Sequence, residues 1–221
     1  YAFSGCTNLT SVTIPGNVTS IEDYAFSSCK SLEELTIPEG VKKLGAKIIA
    51  DTYIEKIKVP STVTQCSSTY SNSLDWGSLA GDEVLTEVEF AEGMTKIPAY
   101  ICENASSMEK VVIPSTVTDI GWSAFYGCTS LKGVSLPDGL TKIDNYAFDR
   151  CKSFTDVRVP KSVTSIGEYA FENCTSLKSA VIEANSKKLF ETTIGKYAFS
   201  GCTNLTSVTI PGNVTSIEDY A

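Results

Sequence analysis

The sequence predicts a solenoid of the α/β class, in which similar coils stack to form a parallel β-sheet on one face and short helical or 3₁₀ turns on the other. Three observations lead to this fold class. A motif returns every 23 residues along most of the 221-residue chain. Within each copy, apolar and polar residues alternate as in a half-buried strand. Proline and turn-forming residues then end the alternating stretch.

The repeat is marked by the pattern A-F-x-x-C, whose phenylalanines recur at a constant spacing. Phe125, Phe148 and Phe171 are successively 23 residues apart, and so are Phe3 and Phe26. The full unit reads A-F-x-x-C-x-x-L-x-x-V-x-I-P-x-x-V-x-x-I-x-x-Y. Repetition of six or more positions in register is specific to a repeat architecture.

The two ends of the chain fall on the same point of this repeat. Residues 1–25 are identical to residues 197–221, and eight repeats separate them once a one-residue deletion and two insertions, near 65–77 and 183–196, are counted. We therefore expect residues 1–221 to form one solenoid of about nine coils of ~23 residues. Because neither end carries a polar cap, we also expect the chain to be a piece of a longer array, or its ends to associate with one another.

Each unit contains one strand signal, one turn signal and one short compact segment. In the first unit, Val12 and Ile14 alternate with polar residues, and Pro15 lacks the N–H that a further rung would need. The V-x-x-I stretch, here Val18 and Ile21, is a second extended or irregular leg that sends two apolar side chains inward. The Y-A-F-x-x-C segment is too short for an independent helix, and one or two helical or 3₁₀ turns would point its Ala, Phe and Cys inward.

A single coil of this kind is not stable alone. About seven inward side chains contribute roughly 1.5–3 kcal/mol each, which is of the order of the entropy lost when 23 residues are fixed. Burial between neighbouring coils, with equivalent strands about 4.8 Å apart, is therefore required.

The unit A-F-x-x-C-x-x-L-x-x-V-x-I-P-x-x-V-x-x-I-x-x-Y resembles the BspA-like, or Treponema-type, leucine-rich repeat of surface proteins from bacteria and some protists. The resemblance covers essentially the whole chain and is poorest over 47–53 and 66–77. It implies a right-handed leucine-rich-repeat solenoid, a location at the cell surface or outside the cell, and a role in adhesion or protein recognition. The motif is a folding signature, so the resemblance transfers no catalytic or binding residue.

The cysteines follow the repeat, which favours small buried thiols over any chemistry. Disulfides between adjacent coils are an alternative with poor geometry, because the side chains would point in parallel. A metal site is weaker still, since the chain has no histidine and no C-x-x-C motif. Cys66 stands in place of an inward isoleucine and Cys102 in place of the phenylalanine. The six cysteines at the repeat position are Cys6, Cys29, Cys128, Cys151, Cys174 and Cys202.

The outward positions of the predicted strands carry charges that alternate in sign from coil to coil. Such a ladder satisfies itself and keeps the coils in register, at a few tenths of a kcal/mol per pair. Alternatively it is a charged, concave recognition face. The predicted opposing pairs are Glu34–Lys56, Lys56–Glu87, Glu87–Lys110 and Lys58–Glu89.

Two regions are candidates for ligand binding. On the strand face, the part with fewer opposing charges begins near Lys110 and offers both flat and charged surface to a protein or a glycan. The second region is the insertion near 65–77, where Tyr70 and Trp76 lie among Ser, Asn and Asp, as in a binding loop; alternatively Trp76 fills a gap left by a worn repeat. The strand-face candidates are Lys110, Val112, Gly133, Ser135, Asp156, Arg158 and Val181.

Composition argues against several classes of function. The net charge of -8 disfavours nucleic acid and anionic membranes as partners. Without histidine, the usual near-neutral general base is missing, and no G-x-G-x-x-G, P-loop or G-x-S-x-G motif is present, so we expect neither catalysis nor a cofactor. No run of about 18 apolar residues could span a bilayer. The leading hypothesis is a surface-exposed module that binds a protein or glycan on a host or neighbouring cell, and the alternative is a stiff spacer with no ligand of its own.

Overall fold

The computed structural model describes residues 1–71, 74–184 and 191–221, with 69–71 and 74–76 described by their backbone. Its regular elements are short strands. In chain order they are β1 (Ser20–Ile21), β2 (Lys43–Leu44), β3 (Lys56–Val59), β4 (Gln65–Cys66), β5 (Thr69–Ser71), β6 (Leu74–Trp76), β7 (Glu87–Phe90), β8 (Lys96–Ile97), β9 (Lys110–Val112), β10 (Asp119–Ile120), β11 (Lys142–Ile143), β12 (Asp156–Val159), β13 (Ser165–Ile166), β14 (Ser179–Ile182), β15 (Thr192–Ile194), β16 (Ser207–Thr209) and β17 (Val214–Ile217).

The strands form two series along the stack of coils, which confirms the predicted fold class. On the first face, built from L-x-x-V-x-I-P, lie the sheets β3-β7-β9 and β12-β14-β16. On the second face, built from V-x-x-I, lie the sheets β1-β2-β4 and β17-β15-β13-β11-β10-β8. All of these pairs are parallel, whereas β5 and β6 form an antiparallel pair within the insertion. The leg that we expected to be extended or irregular thus carries the longest sheet.

The strand-face prediction is wrong for three coils. The segments 11–14, 33–37 and 133–136 are not strands. A parallel strand exists only where a neighbour completes its ladder, and the segment 11–14 can face only 33–37, which is itself not a strand. In 133–136, Gly133 offers no side chain to pack and weakens the strand. We number the coils from the N-terminus, so that coil 2 contains Phe26, coil 6 contains Phe125 and coil 9 contains Phe199.

The predicted helical or 3₁₀ turns are also wrong: the Y-A-F-x-x-C segments are runs of separate turns. In coil 2 the N–H of Cys29 donates to the carbonyl of Phe26 (3.2 Å), but the N–H of Ser28 donates to Ala50 in the next coil (2.7 Å). Tyr24 and Ser28 have φ values of 55° and 59°. Left-handed residues interrupt a right-handed helix, and they turn alternate N–H groups towards the neighbouring coil instead.

The core is a column of stacked aromatic rings flanked by thiols. Phe148 is fully buried, and its ring centroid lies 5.2 Å from that of Phe125 and 5.3 Å from that of Phe171. The Cys151 thiol donates to the carbonyl of Phe125 (3.2 Å), and the same bond recurs in other coils. All eight cysteines are free: Cys6 is exposed, Cys66 is half-buried, and Cys29, Cys102, Cys128, Cys151, Cys174 and Cys202 are buried. Cys6 departs from the expected burial because coil 1 stacks on coil 2 alone, whereas the buried thiols donate to a carbonyl of the preceding coil.

Candidate recognition surface

The predicted strand-face residues lie on two separate sheets rather than one continuous surface. Lys110 and Val112 lie on β9, at the end of the sheet β3-β7-β9. Asp156, Arg158 and Val181 lie on β12 and β14 of the other sheet. Gly133 and Ser135 lie between the two sheets in coil 6, which has no strand on the first face, and Ser135 is exposed.

The sheet β3-β7-β9 is charge-compensated along its outward row. Glu87 lies between Lys56 (3.0 Å) and Lys110 (2.6 Å), as the spacing of the repeat predicts. The two lysines hold the pKa of the Glu87 carboxyl below its usual range, Lys110 through the stronger hydrogen bond. Lys58 and Glu89 also form the predicted pair (2.5 Å). Exposed pairs of this kind contribute little to stability, and they leave Lys110 already engaged.

A cleft of about 370 Å³ opens on the sheet β12-β14-β16. Arg158 is its central cation: Nε and Nη2 both lie 2.8 Å from Oε1 of Glu183, and Nη1 lies 3.7 Å from Oδ1 of Asp138. We call this the Arg158 cleft, and its polar and apolar walls are formed by Asp138, Arg158, Lys161, Val181, Glu183 and Thr209.

The expectation that Arg158 lies in a part of the face with fewer opposing charges is therefore wrong for this residue. Glu183, which sequence reasoning missed, stands where most coils have the proline that ends the strand. Because Glu183 retains its N–H, it donates to the carbonyl of Val159 (3.0 Å) and extends the ladder past the usual stop. Its carboxylate then reaches Arg158. Loss of the expected proline at 183 was the sequence signal that could have located this residue.

The Arg158 cleft also presents apolar surface. Val181 pairs in register with Arg158 on one side and Thr209 on the other. Its side chain is 37% exposed, although it lies in the middle of a sheet. An exposed valine beside a guanidinium held by two carboxylates gives a partner an apolar contact and several charge-assisted hydrogen-bond positions. Asp156, further along β12, is exposed and accepts a hydrogen bond from the Thr155 hydroxyl (2.9 Å).

The second predicted region falls on the insertion. Tyr70 and Trp76 belong by backbone to the antiparallel pair β5–β6, in which Tyr70 pairs with Asp75 and Trp76 with Thr69. Their side chains lie outside the described residues, so their predicted role in binding stays a prediction.

In the part of the chain that the structure describes, no group of three Cys, Asp or Glu side chains could hold a metal ion. The same part contains no helix that could cross a bilayer.

The repeat, the paired faces and the column of phenylalanines together identify the family. A model described as "BspA type Leucine rich repeat region" matches residues 1–76 and 95–221 in six copies. The chain belongs to the BspA-type leucine-rich-repeat family. No curated protein matches it in sequence.

Solved structures of bacterial leucine-rich-repeat proteins share the fold of this BspA-type chain. A leucine-rich repeat protein from Bacteroides ovatus superimposes with a TM-score of 0.70 at 24% identity, over 100% of this chain and 59% of its own. The leucine-rich repeat protein of Treponema pallidum gives 0.61 at 24% identity, over 74% of this chain and 72% of its own. A leucine rich cell surface protein from Faecalibacterium prausnitzii gives 0.53 at 21% identity, over 96% and 68%. The chain thus spans about three fifths of the length of the Bacteroides protein.

Proposed function

We propose that this chain is a non-catalytic module at the cell surface or outside the cell that binds a protein or glycan of a host or neighbouring cell through the first face of its solenoid. The observation that carries the proposal is the Arg158 cleft. It combines an exposed valine with a guanidinium oriented by Glu183 and Asp138, on a rigid three-stranded sheet. Sites on rigid elements lose little entropy on binding.

Two further observations support this function. Family membership favours a repeat module whose purpose is binding rather than catalysis, because a solenoid presents an extended surface. The similar protein from Faecalibacterium prausnitzii is described as a leucine rich cell surface protein, which favours the same location here.

The test uses a double variant of the complete chain, Asp156→Ala with Arg158→Ala. Binding to immobilised extracellular-matrix extract should weaken about tenfold, since a guanidinium with fixed geometry contributes more than a mobile surface charge. The free energy of unfolding should change by less than about 1 kcal/mol, because both side chains are exposed. Surface plasmon resonance and urea titration measure the two quantities.

The matched control is Lys58→Ala with Glu89→Ala, which removes an exposed ion pair from the other sheet. Its binding should equal that of the unmodified chain. Equal weakening in both double variants would show a general charge effect. Unchanged binding in the Asp156/Arg158 variant would refute the role of the cleft and favour the spacer, a role with which the self-compensated charges on β3-β7-β9 are consistent.

A further inference from the structure

The first-face segments of coils 2 and 3 do not pair with each other, although each coil has its complete L-x-x-V-x-I-P segment. The segment 33–37 forms no ladder with β3, whereas β3 pairs with β7 over four residues. The seam is closed at one end by the bond from Tyr53 N to Leu32 O (3.1 Å), and at the other by the bond from Thr62 Oγ1 to Val41 O (2.8 Å). Between these bonds, no backbone hydrogen bond joins 33–38 to 54–60, all of which the structure describes. At about 3.3 Å per residue, the open length is roughly 20 Å.

The opening is a cleft of about 660 Å³, within the range of binding pockets. We call it the coil 2–3 seam, and its main lining residues are Glu33, Glu34, Leu35, Tyr53, Glu55 and Lys56. Its floor is apolar, because Leu35 and the adjacent Ile57 point into the core and are buried.

The side chain of Tyr53 lines one end of the seam. In coils 2 and 5 the equivalent residue is a serine whose hydroxyl bonds the preceding coil: Ser31 Oγ donates to Thr7 O (2.8 Å), and Ser107 Oγ donates to Leu85 O (2.9 Å). At Tyr53 the backbone N–H makes the bond to the preceding coil, to Leu32 O (3.1 Å), and the side chain of Val84, at the equivalent position of coil 4, has no donor. The ring of Tyr53 instead stands in the wall of the cleft, 56% exposed.

The seam has an unpaired backbone edge and an unpaired negative charge. One side of β3 lacks a ladder partner, which is the condition under which an extended segment of another protein adds to a sheet. Glu33, Glu34 and Glu55 are exposed, and none is in an ion pair within the described residues. The one lysine of the lining, Lys56, is already paired with Glu87.

We propose that the coil 2–3 seam binds an extended segment of a partner protein that carries arginine or lysine side chains and adds along the open edge of β3. The backbone of this segment makes the hydrogen bonds that coil 2 does not make. Its cationic side chains, all on one side because strand side chains alternate, meet the three glutamates, and one stacks on Tyr53. This inference rests on the protein-binding function proposed above, but it does not depend on the Arg158 cleft.

The test measures the affinity of three fluorescein-labelled octapeptides for the complete chain by fluorescence anisotropy. They are (Arg-Thr)₄, (Glu-Thr)₄, and (Arg-Thr)₄ with N-methylated threonine amides, which keeps the charge but removes backbone donors. The first should bind at least about tenfold more tightly than either of the others. Amide exchange over 54–59 should slow when it binds, because the open edge becomes hydrogen-bonded.

Two variants locate the binding site. Glu33→Gln with Glu34→Gln and Glu55→Gln should weaken (Arg-Thr)₄ about tenfold. Tyr53→Ser removes the ring that lines the seam and would stack on a cationic side chain, so it should weaken binding at least about threefold. The charge-matched control replaces three exposed glutamates of coils 7, 8 and 9 and should leave affinity unchanged: Glu168→Gln, Glu191→Gln and Glu218→Gln.

Several results would overturn the proposal. They are no binding of (Arg-Thr)₄ at about 1 mM, equal affinity for the N-methylated peptide, and equal loss in the seam variant and the charge-matched control. Self-association that disappears in the seam variant would place a second copy of the chain in the cleft and would also overturn it. Because peptides are measured directly, failure here leaves the matrix-binding test of the proposed function intact.

Discussion

Asp149 shows how a single residue can depart from the repeat at a cost in stability. It lies in the turn segment of coil 7, only 2% exposed, and its Oδ1 has no hydrogen-bond partner. Burial, reinforced by the carboxylate of Glu172 in the next coil, raises the pKa of Asp149 to about 7. The equivalent residues Ser27 and Ser200 carry no charge. An acid whose pKa is higher in the folded chain binds a proton more tightly there, so stability falls as pH rises from the unfolded pKa to the folded one.

The variant Asp149→Asn should therefore stabilise the chain at about pH 8 by about 1–3 kcal/mol and have little effect at about pH 4. Urea titrations across this range measure the difference. Glu172→Gln is the companion variant: it should move the midpoint of the pH dependence to lower pH, because one source of the raised pKa is gone. A stability difference that is the same at both pH values would contradict this account.

The cysteines offer a second test at this scale. Burial raises the pKa of the Cys66 thiol to about 12 and that of Cys128 well above its usual value. Thiolate is the reactive form, and the other repeat thiols and Cys102 are buried. Native chains should therefore react rapidly with a disulfide reagent at Cys6 alone, and at all eight thiols after denaturation. Absorbance of the released thiol counts them. Rapid reaction of several thiols in the native state would contradict the buried column.

At the scale of the element, the turn face depends on one left-handed residue just before each repeat cysteine. This residue is glycine at Gly5 (φ 76°), Gly127 (φ 69°) and Gly201 (φ 72°), and an ordinary residue elsewhere, for example Arg150 (φ 60°). A Cβ at Gly127 would lie 2.1 Å from Oδ1 of Asn104, whereas at Gly5 it would meet nothing within 4 Å. Both glycines thus have a left-handed backbone, but only Gly127 has a neighbouring atom where a Cβ would lie.

Gly127→Ala should destabilise the chain by about 2–3 kcal/mol, of which about 1–2 kcal/mol is the left-handed backbone and the rest is displacement of Asn104. Gly5→Ala should destabilise the chain only by the contribution of the left-handed backbone, about 1–2 kcal/mol. Thermal or urea unfolding of the two variants measures the difference. Equal losses would show that space around the turn is unimportant.

The elements also show what the sequence could and could not predict. The pairs Lys56–Glu87 and Glu87–Lys110 follow from residue type and a constant step. The predicted pair of Glu34 with Lys56 is absent, because the segment 33–37 forms no ladder with β3 and the two side chains face across a cleft. Periodicity identifies which residues point outward, but it does not determine whether two neighbouring legs actually pair.

The helical expectation for the turn face failed for a related reason. Within a single coil, the Y-A-F-x-x-C segment could form its backbone hydrogen bonds internally, as in a helical turn. Tyr146 and Arg150, which have left-handed backbones, instead donate their N–H groups to the backbone carbonyls of Glu168 and Glu172 in the next coil (2.9 and 2.8 Å). The glycine and asparagine residues that recur before the cysteine were the signal for this conformation. Only part of the Arg158 cleft could be predicted from the sequence. The positions of Arg158 and Val181 follow from the register of the repeat. Glu183 reaches the cleft because the ladder continues to residue 183, where most coils have proline.

For the whole molecule, stability is shared between neighbours along the stack, so the same substitution should have different costs at different places. Phe148 contacts a phenylalanine ring on each side and is fully buried. Phe3 stacks on Phe26 alone, at 5.5 Å, and is 44% exposed.

Phe148→Ala should therefore destabilise the chain by about 3–5 kcal/mol, and Phe3→Ala by about 1 kcal/mol. Urea unfolding followed by circular dichroism measures both losses. Similar costs would mean that the chain unfolds as one block without regard to position.

The stacked rings also bear on how such genes change. Residues 1–25 and 197–221 are the same peptide in two settings: Phe3 lies on Phe26 at 5.5 Å, and Phe199 lies on Phe171 at 5.2 Å. An identical module thus fits two different neighbours without alteration. Unequal crossing-over between homologous segments could add or delete whole repeats while the coils on either side stayed well packed. The length of such proteins should therefore vary between lineages by multiples of the repeat more readily than by single-codon insertions.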